Sequence, residues 1–330
     1  MNGAGGAASP VMRAAVVAAP GRVEVREVSL PEPGPGELRF RLEGCGVCAS
    51  NLPPWEGRPW FTYPLEPGGL GHEGWGVVDA VGPGVEGGVA IGDRVAALSQ
   101  HAYAEYDVVP ARAVVPLPPA LAEKPFPGEP LGCAINIFAR SGIQAGQDVA
   151  IVGIGFLGAL LTRLASAAGA RVLAIARRPF ALDVAKTMGA AETIPFEENW
   201  RVADRVKELT GGALCPVVVE AVGKQEALDL AGDLTGERGR LIIAGYHQDG
   251  LRQVNLQQWN WRGIDVINAH ERDEAVYLSG IRSAVDAVAS GALDPAPLYT
   301  HAFPLERLGE ALDATRDRPD GFLKALVVFR

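Results

Sequence analysis

Residues 131–158, LGCAINIFARSGIQAGQDVAIVGIGFLG, set one cysteine, Cys133, a short helix ahead of a strand that runs into Gly-x-Gly-x-x-Gly. The glycines are Gly153, Gly155 and Gly158, with Phe156 and Leu157 between the last two. An apolar run over 149–152 precedes them, and Leu160, Leu161, Leu164, Ala165 and Ala168 follow at helical spacing. A tight turn between strand and helix lets backbone approach a pyrophosphate, and the helix N-terminus favours its charge. In that setting the motif reads as a dinucleotide site. The next strand, over 172–175, ends in Ala176-Arg177-Arg178-Pro179, where an acid would bond the ribose hydroxyls of NAD. Arginine forks match a phosphate, so NADP(H) is the preferred cofactor and NAD(H) the second choice. The bland alternative is a pair of solvated arginines at a helix start.

Three separated fragments could hold a metal: GVCASN with Cys48, GHEG with His72, and EPLGC with Cys133. Two thiolates and an imidazole suit zinc, and three protein ligands leave a fourth position for water or substrate. A lone histidine is more often structural and a lone cysteine inert; the set ahead of a dinucleotide turn is more specific. Cys45 makes a C-x-x-C with Cys48, but no second pair follows, so Cys45 reads as buried filler, as does Cys215.

The elements that must position these groups fall into two textures. Leu38, Phe40 and Leu42 alternate with Glu37, Arg39, Arg41 and Glu43, a half-buried strand. Short apolar runs follow at 77–78, 95–98, 106–109 and 114–115, punctuated by glycine and proline, which predicts an antiparallel β unit. Beyond about residue 136, strands over 149–152, 172–175, 217–220, 241–244 and 264–267 alternate with helices over 156–168, 180–188, 202–209 and 226–234. That pattern predicts a doubly wound parallel sheet, an α/β fold. Helices over 276–289 and 305–314 and a strand over 325–329 close the chain. The domain expectation is 1–135 for the β-rich unit with a disordered tip at 1–10, 136–270 for the coenzyme unit, and 271–330 for a return to the first.

With 330 residues, 48% hydrophobic and 21% charged, the chain has the composition of an ordinary globular protein. Its net charge of −9 argues against non-specific binding to nucleic acid or a membrane surface. Four cysteines without a disulfide spacing fit a reducing compartment, and the N-terminus lacks a signal-peptide pattern, so a cytoplasmic location is expected.

At this point the chain resembles the medium-chain dehydrogenase/reductase superfamily, in its zinc-dependent alcohol dehydrogenase branch. The matching pieces are GVCASN, GHEGWG, the VGPGV…GDRV stretch at 81–95, AEYDVVP, EPLGCA, VGIGFLG, EAVG at 220–223 and THAFPLERLGEALD. The resemblance implies a GroES-like catalytic domain with an inserted coenzyme domain, and a homo-oligomer, dimer or tetramer. It matches Cys48, His72 and Cys133 to zinc ligands, with Glu73 as a transient ligand and Ser50 as the hydroxyl that relays the alcohol proton. Glu129 matches a glutamate that replaces the third ligand in polyol relatives, though thiolate softness favours Cys133. Lys324 matches a pyrophosphate contact. The nicotinamide is expected near Val222, Ala244 and Gly245, with its carboxamide read around Asn268. Only ten residues, 96–105, stand where relatives carry a four-cysteine structural zinc lobe, so one zinc per chain is expected. Asn51 replaces an aspartate that orients the zinc-bound histidine, Pro53 replaces a relay histidine, and Ala49 removes a phosphate contact. His101 or His270 then becomes a proton exit. Trp55, Trp60, Tyr246, Trp259 and Trp261 are equally candidates for the pocket mouth and for subunit-interface filler.

The implied activity is hydride transfer between NADP(H) and a small alcohol or carbonyl. Glu129, His101, His247 and Asn268 lean towards a polyol or other oxygenated substrate. The alternatives are a biosynthetic imine or conjugated-alkene reductase, and a catalytically silent NADPH-binding protein.

Overall fold

The computed structural model describes residues 10–86 and 88–329; the expected disordered tip, apart from Pro10, lies outside the described residues. Among the described residues the chain forms two compact units, one within 10–129, 301–318 and 325–329, the other of 130–300 and 319–324.

In the first unit an antiparallel hairpin, Val11–Ala19 with Arg22–Ser29, accompanies a seven-stranded sheet. The sheet order is Tyr299–Pro304, Lys324–Val328, Glu37–Gly46, Gly74–Val81, Arg94–Ala97, Val114–Pro116, with Tyr106–Pro110 also pairing to Glu37–Gly46. Leu38, Phe40 and Leu42 are buried as the alternation requires. Arg39 departs from it, being only 8% exposed. Its guanidinium grips both Asp79 carboxylate oxygens at 3.1 Å and donates to the Pro31 carbonyl, so the charge is buried already paired.

The second unit holds an all-parallel sheet ordered Glu192–Pro195, Arg171–Ala176, Asp148–Val152, Cys215–Glu220, Thr235–Ile243, Asp265–Asn268. From the central strand Asp148–Val152 the chain winds outward in one direction, then returns beside it at Cys215–Glu220. The strand order reverses between those two, which is where such sheets bind ligands beyond their carboxyl ends. Val149, Ala150, Ile151 and Val152 are wholly buried, the continuous apolar run that a sheet covered on both faces demands. The helices Phe156–Ala167, Pro179–Thr187, Asn199–Leu209 and Gln225–Leu234 fall where periodicity put them.

The return to the first unit comes at His301, later than the expected 271. The helix Glu274–Ala289 stays with the second unit because the Asn136 amide donates to the Val276 carbonyl at 3.1 Å. Gly132 also lies so close to Ile281 that a Cβ would come within 2.8 Å of it. The hairpin, the strand Glu192–Pro195 and the helix Leu256–Arg262 lack a periodic signal strong enough to read in advance. Among the described residues, no helix is long and apolar enough to cross a membrane.

Candidate metal and dinucleotide sites

Strand pairing creates the metal constellation. Glu37–Gly46 and Gly74–Val81 pair with Cys45 opposite Gly74, so the chain leaving the first strand meets the chain entering the second. Cys48 precedes a helical turn, Ala49–Asn51, and His72 and Glu73 immediately precede the second strand. The Cys48 thiol, a His72 ring nitrogen and a Glu73 carboxylate oxygen all lie within 4.8 Å of one another. Glu73 is fully buried. His72 Nδ1 lies 2.9 Å from the Leu70 carbonyl. A carbonyl only accepts, so Nδ1 carries a proton and Nε2 is the nitrogen left for a metal. Burial pushes the imidazolium down, but Cys48, Glu129 and Glu73 outweigh it and hold the ring up at about 10. A soft thiolate, an imidazole and a buried carboxylate around one point, with negative charge in excess, fit a divalent zinc ion.

Asn51 does not orient the His72 ring directly. Its amide donates to the Leu70 carbonyl at 3.1 Å rather than to the histidine ring, and its own oxygen accepts the buried Tyr103 hydroxyl at 2.8 Å. The Leu70 carbonyl is therefore held by the amide while it orients His72, an indirect form of the support that metal-binding histidines receive. Ser50 lies within the same turn, half-buried, two residues beyond Cys48. Glu129 and Cys133 are four residues apart on one face of the helix Gly128–Ser141; Cys133 is half-buried and belongs to the second unit.

At the dinucleotide turn, two glycines are required by the protein itself. A Cβ on Gly158 would sit 2.0 Å from the Gly153 carbonyl oxygen, and Gly153 adopts φ +100° with Val222 against it. A Cβ on Gly155 would meet nothing within 4 Å. The space over Gly155 is left open by the protein, as a pyrophosphate cradle must be. Lys324 is 5% exposed, and its ammonium lies 5.1 Å from the centre of the Phe156 ring, at the first residue of the following helix.

The arginines are less free than the sequence implied. Arg177 pairs with Glu226 and lies over Phe196, 5.0 Å from the ring centre. Arg178 has the extended backbone that a residue before proline favours, and its guanidinium donates to the Phe322 carbonyl at 2.6 Å. Val222, Ala244, Gly245 and Asn268 lie at the carboxyl ends of three adjacent strands. His247 bonds Glu220 and Arg252, and His101 bonds Glu66 at 3.0 Å, so neither is an unengaged polar group for a substrate. Trp55 is buried with its indole N–H on Asp313, and Trp259 packs on the second unit's core, whereas Trp60, Tyr246 and Trp261 are exposed. Tyr103, Glu226 and Arg252, which bond Asn51, Arg177 and His247, carry no local motif that marks them in the sequence.

Comparison with known proteins gives a consistent pattern. Residues 34–119 match the alcohol dehydrogenase GroES-like domain and residues 157–281 the zinc-binding dehydrogenase domain. The chain is 31% identical to L-threonine 3-dehydrogenase of Pyrococcus abyssi over 257 residues, 68% of this chain and 72% of that one. It is 28% identical to human sorbitol dehydrogenase over 341 residues, 93% of each. A Sinorhizobium meliloti structure described as a zinc-binding dehydrogenase bound to NADP superposes with a TM-score of 0.83 at 25% identity, covering 97% of this chain and all of that one.

Proposed function

Since the chain belongs to the zinc-type alcohol dehydrogenase branch of the medium-chain dehydrogenases and reductases, we propose that it is a zinc-dependent oxidoreductase interconverting an alcohol and a carbonyl with NADP(H). The observation that carries this reading is the convergence of Cys48, His72 and Glu73 at a point rich in negative charge. Cys48 and His72 Nε2 hold the ion and Cys133 completes the set, with Glu73 and Glu129 as alternates during exchange. Zinc bound there supplies Lewis acidity to the substrate oxygen, and the nicotinamide supplies the hydride acceptor. Ser50 Oγ takes the alcohol proton as it leaves. Leu70, Asn51 and Tyr103 keep the imidazole in the tautomer that presents Nε2. The open face of Gly155 and the Lys324 ammonium receive the pyrophosphate, while Arg177, and Arg178 on leaving the Phe322 carbonyl, receive the 2′-phosphate.

A polyol or similarly oxygenated small molecule is the proposed substrate class, supported by the end-to-end similarity to sorbitol dehydrogenase. The test is a screen of polyols, hydroxy amino acids and simple alcohols for growth of NADPH absorbance, beside zinc analysis of the same sample. Turnover that survives complete removal of zinc overturns the metal assignment; no turnover of any alcohol or carbonyl overturns the reaction.

A further inference from the structure

Glu220 ends the strand Cys215–Glu220 at the reversal of strand order, and its side chain is fully buried. One carboxylate oxygen accepts the backbone N–H groups of Val222 and Gly223, each at 2.8 Å. The other lies 2.9 Å from His247 Nε2. Arg252 Nε donates to His247 Nδ1 at 3.0 Å, and a second guanidinium nitrogen donates to the Gly223 carbonyl at 3.1 Å. A guanidinium only donates, so Nδ1 must accept; the ring proton is on Nε2 and is given to Glu220. The buried carboxylate thus receives three N–H groups, and the arginine charge reaches it through a neutral imidazole.

This linkage ties together two turns beyond adjacent parallel strands. The N–H groups of Ala244 and Gly245 both bond the Glu220 carbonyl at 2.8 Å. A Cβ on Gly223 would come within 2.4 Å of the Tyr246 carbonyl oxygen, so the turns interlock without room for a side chain. Val222, held by its N–H, covers Gly153, where a Cβ would come within 2.3 Å of its methyl carbon. The chain of contacts therefore runs from Arg252 to the first glycine of the dinucleotide turn.

We propose that Arg252, His247 and Glu220 form a brace that sets the shape of the nicotinamide end of the cofactor site, with His247 as a positioning residue; this rests on the dehydrogenase reading above. The brace acts on turns common to both dinucleotides, not on Arg177 or Arg178. Its loss therefore weakens NADH and NADPH by the same factor. Loss of one charge-assisted hydrogen bond corresponds to roughly tenfold or more in affinity.

The test measures dissociation constants of NADH and NADPH by their fluorescence, together with KM values for cofactor and alcohol, in His247→Leu, His247→Gln and Arg252→Ala. The glutamine amide donates to Glu220 and its carbonyl accepts from Arg252, reproducing the neutral imidazole. We expect His247→Leu to weaken both cofactors by about tenfold with the alcohol KM nearly unchanged, and His247→Gln to recover most of that loss. Should His247→Leu not fold, Arg252→Ala, which removes only the half-buried outer end, is expected to weaken both cofactors by about threefold. Unchanged cofactor binding in the folded variant that removes the linkage overturns the brace. A glutamine variant as impaired as the leucine one also overturns it. Wild-type protein that binds neither nicotinamide dinucleotide instead sinks the dehydrogenase reading itself.

Discussion

Replacing Glu226 with glutamine isolates what the arginines at the second strand end contribute to cofactor choice. Arg177 and Glu226 form an ion pair with side chains 61% and 52% exposed. Exposed pairs of this kind are worth about 0.2–1 kcal/mol. A charge-assisted hydrogen bond from Arg177 to a 2′-phosphate is worth about 1.5–3 kcal/mol. Exchanging the carboxylate for the phosphate therefore leaves a net gain of roughly 0.5–2.8 kcal/mol for NADPH over NADH. That range spans about twofold to a hundredfold and is centred near tenfold. Glu226→Gln removes both the competing partner and a negative charge facing the phosphate. NADPH should bind about 1.4- to fivefold tighter, with NADH unchanged and the gain shrinking at high salt. The assay is a pair of fluorescence titrations with each cofactor at low and high ionic strength, repeated in Arg177→Ala. A cofactor ratio that is the same in wild type, Glu226→Gln and Arg177→Ala would mean that the Arg177 guanidinium never meets the phosphate.

Zinc analysis should give one ion per chain; Cys133→Ala should lose it, and loss in Glu129→Gln but retention in Cys133→Ala would transfer the ligand role to Glu129. Ser50→Ala should lower kcat by about 10²–10⁴-fold with cofactor affinity unchanged, and a rate within about threefold of wild type would assign the proton to another group. Gly155→Ala should leave the melting temperature nearly unmoved yet weaken both cofactors, because its Cβ enters open space over the turn. Gly158→Ala, whose Cβ would strike the Gly153 carbonyl, should lower the melting temperature as well. Equal melting of the two glycine variants would refute the distinction.

What the sequence made legible was local. The glycine turn, the strand before it and the helix after it lie within a few residues of one another, and so do Cys48 and Ser50. Pairing between distant residues was not legible. Arg39 is buried only because Asp79 stands 40 residues away, and Arg177 is engaged by Glu226 at a separation of 49. Asn51 could be placed beside His72 by resemblance, but its true partner, the Leu70 carbonyl, is backbone and carries no residue signature. His247 was visible as a polar residue; that it serves a buried carboxylate follows only from the close approach of two turns.

The strand Lys324–Val328 lies inside the first unit's sheet, between Tyr299–Pro304 and Glu37–Gly46. A ribosome therefore delivers the strand that pairs with residues 44–46 only after every residue of 130–300 has been made. Until then residues 44–46 expose unpaired backbone on a flank that Tyr106–Pro110 covers only over 37–41, a short piece of the kind of template that recruits foreign strands. Vectorial synthesis thus leaves the first unit unfinished while the inserted unit can already collapse on its own core, and Lys324, itself at the start of this strand, reaches Phe156 only at that same late moment.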